Sequence, residues 1–184
     1  MGYRVLAQSA RVQLAADRPR VSQWHSEQHN DKPQEDKTMG TRSLTVLQDN
    51  DGKEIAVLYR QMDGYPSGHG AELAKYLKPF TVVNGFGSGA KRGKVANGMS
   101  CLAAQLVAKF KQEVGGFYLY PAGTRDCGEE YVYTVGVHAG QVHLECRTAG
   151  YGGEPGHLLY SGPAADWKTK AVEATEQCFK ATVR

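Results

Sequence analysis

Between residues 39 and 77 the hydrophobic pattern switches once from period two to helical spacing, and the rest of the chain must be arranged around that switch. Two apolar runs, Leu44–Leu47 and Ile55–Tyr59, flank the turn Asp49-Asn50-Asp51-Gly52, which is the pattern of a β-hairpin. The second run leads into a loop dense in glycine and turn formers, Asp63-Gly64-Tyr65-Pro66-Ser67-Gly68-His69-Gly70. A short helix is expected next. Leu73, Ala74, Tyr76, Leu77 and Phe80 share one face, and Pro79 stops it.

Thr81–Val83 has room for one brief strand before a second glycine-rich loop, 84–94, which carries Lys91, Arg92 and Lys94. The strongest helical pattern follows over 97–114. Met99, Leu102, Ala103, Leu106, Val107, Phe110 and Val114 form its core stripe, with Gln105 on the polar side and Gly115-Gly116 as the stop. Phe117–Tyr120 reads as a short aromatic strand. Tyr131–Val137 and Val142–Cys146 alternate about the turn His138-Ala139-Gly140, which predicts a hairpin with one buried and one wetter face. His157–Tyr160 reads as an edge strand. A last helix over about 164–180 is expected to turn Trp167, Ala171, Ala174 or Thr175, and Cys178 to one side.

Strands joined by tight hairpins pair antiparallel, and helices between two hairpin blocks cover one face. The expected fold is therefore α+β, an antiparallel sheet of two hairpin blocks with helices mainly on one side. Residues 39–184 make up the domain. Residues 1–38, poor in apolar periodicity and interrupted by Pro19 and Pro33, read as a disordered or weakly helical extension.

Composition narrows the function classes. A formal charge of +3 with Lys and Arg spread along the chain supports no nucleic-acid partner. No apolar stretch approaches the ~20 residues of a membrane span. No secretory pattern follows Met1, so the expected compartment is the cytoplasm, with Cys101, Cys127, Cys146 and Cys178 reduced. No C-x-x-C pair suggests zinc, and His25 and His29 lack a third ligand, so neither metal nor cofactor is expected.

Five blocks recur in company: Met39–Thr45 (M-G-T-R-S-L-T), Tyr59–Gly70 (Y-R-Q-x-D-G-Y-P-x-G-H-G), Asn97–Ala104, Phe117–Pro121 and Gly128–Tyr133. Together, over residues 39 to 167, they resemble a family of small, functionally uncharacterised proteins of bacteriophages and bacterial genomes, whose members begin where Met39 stands. The resemblance implies a phage-type accessory protein acting inside the bacterial cell. It brings no activity, cofactor or catalytic residue.

Two loops offer chemistry. Asp63, Tyr65, Ser67 and His69 place an acid, hydroxyls and an imidazole on one loop, and a helix start near Gly70 offers N–H groups to an anion. The same residues also suffice for a tight structural turn. Lys91, Arg92 and Lys94 suit an anion too, although the loop lacks the phosphate-binding spacing G-x-x-x-x-G-K-[ST]. These seven residues are the candidate ligand contacts, for a small anion such as a nucleotide, with a host protein as the other partner class. The rival readings are an enzyme acting on a phosphoester with His69 and Asp63 as acid and base, and a structural component without a pocket. Weaker signals are the charged turn Arg125, Asp126, Glu129, Glu130, with Cys127 as a low-pKa thiol, and the tyrosines of the β region, which read as core packing.

Overall fold

The computed structural model describes residues 40–85 and 94–182, within one compact unit, Thr38–Arg184. The extension 1–38, with His25 and His29, and also Lys91 and Arg92, lie outside the described residues. The opening hairpin forms as expected from β1 (Ser43–Gln48) and β2 (Glu54–Arg60). Its turn is closed by Asp49, whose Oδ1 accepts from the N–H groups of Asp51 and Lys53, with Gly52 at φ 78°. A π-helical turn, Pro66–Gly70, then runs directly into α1 (Ala71–Leu77).

β3 (Phe80–Val83) and β4 (Lys94–Asn97) precede α2 (Gly98–Phe110). β5 (Phe117–Tyr120), β6 (Tyr131–His138), β7 (Gln141–Ala149) and β8 (Pro155–Pro163) follow, and α3 (Thr169–Thr182) closes the described chain. The strands make one curled eight-stranded sheet, ordered β4-β3-β7-β6-β1-β2-β5, with β8 also on β7.

The fold is α+β, but the sheet is mixed and not antiparallel throughout. β1 runs parallel to β6, with Ser43 opposite Tyr131 and Leu47 opposite Val135, and β3 runs parallel to β4. Both hairpins were legible from their turns. The parallel seam between them goes instead with β1 being buried on both faces. All of Ser43–Leu47 is buried, so β1 suits an interior position between β2 and β6.

The two faces carry different cores. Leu47, Leu58, Tyr133, Val135 and Leu144 meet Leu73 of α1, Leu102 and Leu106 of α2, and Val172 of α3. The opposite face holds a smaller cluster, Leu44, Val46 and Val57, with Tyr59, Tyr120, Cys127 and Val132 against it.

Three further expectations need correction. Lys94–Asn97 form a strand, where the sequence pattern ends a loop at 94 and begins a helix at 97, and Gln105 is half-buried, its Nε2 donating to the Val95 carbonyl. α2 ends at Phe110, because Gln112 Nε2 donates to the Ala108 and Lys109 carbonyls and Lys111 Nζ reaches the Gly115 and Phe117 carbonyls. Val114 is therefore fully exposed. In α3 the inward face is Val172 and Glu176, whereas Cys178 is exposed. Glu176 turns inward because the Tyr131 hydroxyl donates to it at 2.5 Å and Lys180 pairs with it.

These positions make a direct comparison. Leu106→Ala should cost about 2–5 kcal/mol in urea unfolding, the usual range for a buried leucine, while Val114→Ala should stay within about 0.5 kcal/mol. Similar losses at both sites would contradict an end of α2 at Phe110.

Candidate functional site

The loop after β2 is closed by its own backbone. Gly64 N–H donates to the Thr41 carbonyl and His69 N–H to the Asp63 carbonyl. A Cβ at Gly64 would sit 2.7 Å from the Arg42 carbonyl carbon, and one at Gly68 2.5 Å from the Asp63 carbonyl oxygen, so both positions require glycine by close approach. Asp63 itself holds φ 55°, in the left-handed region. The helix start near Gly70 offers no open N–H cradle: Gly70 N–H donates to the Tyr65 carbonyl and Ala71 N–H to the Pro66 carbonyl. That expectation fails because the helical turn begins four residues earlier, at Pro66.

This closure drives His69 inward, to 1% exposure. Its ring lies edge-on to Tyr133 at 5.3 Å and Phe110 at 5.4 Å, with Phe117 at 5.6 Å. Nδ1 is 3.0 Å from Arg60 Nη1, and Nε2 is 2.8 Å from Thr45 Oγ1. A guanidinium only donates, so Nδ1 is the acceptor, and the ring's single proton sits on Nε2 and is donated to Thr45. Burial first, and the Arg60 charge second, push the His69 pKa down to about 3. The ring is a neutral, fully engaged structural group.

The imidazole in turn fixes Arg60 at the end of β2. Arg60 Nε donates to the Met62 carbonyl at 2.5 Å, and Nη1 also donates to Glu72 Oε2 at 2.5 Å. The guanidinium lies 5.1 Å from the Phe117 ring centre. Beside it opens a groove of about 570 Å³, walled by Arg60, Lys75, Lys94 and Lys109. Tyr76, Phe110 and Phe117 supply rings, and Glu72 is the one carboxylate among the described residues that line it. Lys94 Nζ stands 4.2 Å from the Tyr76 ring centre and 5.5 Å from that of Phe80. Four cations on aromatic walls form a setting for an anion.

The seven expected contacts separate. Lys94 lines the groove, and His69 lies beneath it, holding Arg60. Asp63, Tyr65 and Ser67 are exposed on the loop's outer side and do not line it; the Tyr65 hydroxyl reaches only Asp63, at 3.4 Å. Asp63 and His69 are not brought to one substrate position, since the ring is buried with both nitrogens bonded. Arg60, missed from sequence, carried a readable signal. It stands two residues beyond inward-facing Leu58, so the strand period aims a charge toward the core.

The remaining signals prove structural. Arg125 pairs with Glu54, and Glu129 accepts from the Asp126 and Cys127 N–H groups, closing that turn. The Cys127 thiol is pushed up, not down, by burial and by Glu129 and Asp126. The Cys101 thiol is lowered by the Gln105 side chain and the Asn97 backbone. Tyr131 and Tyr133 are core residues, while Tyr118 and Tyr151 are exposed. Among the described residues no group of three or more His, Cys, Asp or Glu is placed to hold a metal, and no helix is long and apolar enough to cross a membrane.

Compared with protein families, curated proteins and solved structures, the chain matches none.

The His69 geometry sets a pH dependence. The unfolded imidazole, with its ordinary value of 6.5, takes up a proton as pH falls through 6.5, whereas the folded ring stays neutral to about pH 3. The unfolded state binds more protons in that window. The stability contribution is complete above pH 6.5 and declines by about 1.4 kcal/mol per pH unit below it. Urea unfolding at pH 7, 5 and 4 should show His69→Gln losing that part of the slope. Parallel slopes for the two proteins would mean the ring titrates freely.

Proposed function

We propose that this chain is a phage-type accessory protein that works in the bacterial cytoplasm, catalyses no reaction, and binds a small anionic ligand in the Arg60–Lys94 groove. The supporting observation is the charge arrangement there: among the described residues, four cationic side chains and a single carboxylate line about 570 Å³. Arg60 and Lys94 lie against aromatic rings, and Arg60 is also held by the His69 ring. Their side chains are thus partly ordered before a ligand arrives, which lowers the entropy lost on binding. The Tyr59–Gly70 block, one of those resembling phage and bacterial proteins, contains both Arg60 and His69. A phosphate, alone or on a nucleotide, is the ligand chemistry this arrangement favours. Lys91 and Arg92 remain further candidate contacts on sequence grounds.

A host protein is the second reading. What favours it is β5, an edge strand with no charged residue, on which Leu119 is 59% exposed and Tyr118 is also open to solvent.

A thermal melt against inorganic phosphate, pyrophosphate and nucleotides tests the first reading. At a ligand concentration one hundred times Kd, the native state gains about 2.7 kcal/mol, or a rise of about 5–10 °C in Tm. Replacing Lys75, Lys94 and Lys109 by Gln should abolish the rise and leave the unliganded Tm within a few degrees. No rise with any polyanion, or an equal rise in the triple variant, would overturn the assignment.

A further inference from the structure

Arg60 and Glu72 are held very unequally. The arginine side chain is 12% exposed and fastened from beneath by the Met62 carbonyl, His69 Nδ1 and the face of Phe117. His69 is itself anchored to Thr45 in the centre of the sheet. Glu72, in the first turn of α1, has a side chain 55% exposed and contacts Arg60 from the solvent side. A guanidinium this deeply placed needs a counter-charge, because an unpaired buried charge is strongly destabilising. An exposed glutamate also has rotamers that carry it into water at small cost.

From this asymmetry we infer that Glu72 is an internal stand-in for the ligand: its carboxylate occupies the Arg60 position that an incoming anion takes, and binding proceeds by exchange. The inference rests on the groove being the binding site and concerns how that site is regulated. An anion entering while Glu72 remained on Arg60 would meet a like charge at contact distance. An anion replacing Glu72 restores the neutralisation of Arg60 and releases the glutamate to solvent. Arg60 Nη2, which has no acceptor among the described residues, supplies a further donor to the newcomer, which the carboxylate of Glu72 leaves unused. The resident carboxylate thereby sets a threshold. A ligand must contact Arg60 better than Glu72 does, which favours an anion with several oxygens, such as a phosphate, over a lone carboxylate or chloride.

Calorimetric titration with inorganic pyrophosphate at low salt is the test, using the full chain, Glu72→Gln and, as a charge control, Asp51→Asn in the exposed hairpin turn. Glu72→Gln should bind at least about tenfold more tightly than the parent, and Asp51→Asn should bind within about twofold of it. In the parent, the Glu72 carboxylate 13C resonance should move toward that of a free glutamate as pyrophosphate is added. If the parent binds and Glu72→Gln binds equally or more weakly, the exchange is overturned and the groove reading stands. An equal gain in Asp51→Asn would also overturn it, since net charge would then be the cause. If neither the parent nor Glu72→Gln binds, both readings fall.

Discussion

The hydrogen-bonded line from Thr45 through His69 to Arg60 is the constraint on which the rest of this domain depends. It begins on the central strand β1, passes through the glycine-rich loop and ends at the tip of β2. The ring at its middle is packed by α2, β5 and β6 through Phe110, Phe117 and Tyr133. Tyr133 adds a second tie, its hydroxyl donating to the Gly64 carbonyl at 2.8 Å. A buried imidazole is tolerated only when both nitrogens are satisfied and the ring stays neutral. Both conditions are met by groups from different elements, so the loop, the sheet and the helical layer must be assembled together for either to hold.

That dependence explains what could be read from sequence. The two hairpins, the inward stripe of α2 through Leu106 and the alternation of β6 and β7 rest on local periodicity and turn chemistry, and they stand as read. Pairings between blocks are not local. Nothing near Ser43 states that it lies beside Tyr131, and β4 is too short, at four residues, to show a period. Boundaries and faces set by polar capture were misread for the same reason. Glu176 looks like a solvent residue until Tyr131 and Lys180 are beside it, and the end of α2 is set by Gln112 and Lys111 reaching backbone carbonyls.

The candidate groove was half legible. His69 and Lys94 were singled out for an anion, and both belong to the region around the groove, although His69 acts from beneath it. Tyr76 and Phe110 were indistinguishable from core aromatics, because they do pack against the core while they also wall the groove, and Phe117 joins them through Phe110. Lys75 and Lys109 are ordinary surface lysines on their own helices. Only the packing of α1 and α2 beside β2 and β5 makes a cationic wall of them.

The placement of arginine at position 60 follows from the spread of its donors over separate nitrogens. Nε serves the Met62 carbonyl and Nη1 serves both His69 and Glu72. A lysine ammonium has three donors on a mobile stem and no flat face for Phe117, so it would satisfy fewer of these partners at once. It would also leave nothing to compare with Nη2, the guanidinium nitrogen without an acceptor among the described residues. The planar cation lets one residue meet two demands that usually compete. Its Nη1 meets both the buried His69 ring and the exposed Glu72 carboxylate, so it joins the network that holds the loop closed to the wall of the groove. In this domain the closed loop and the wall of the groove therefore meet in a single side chain.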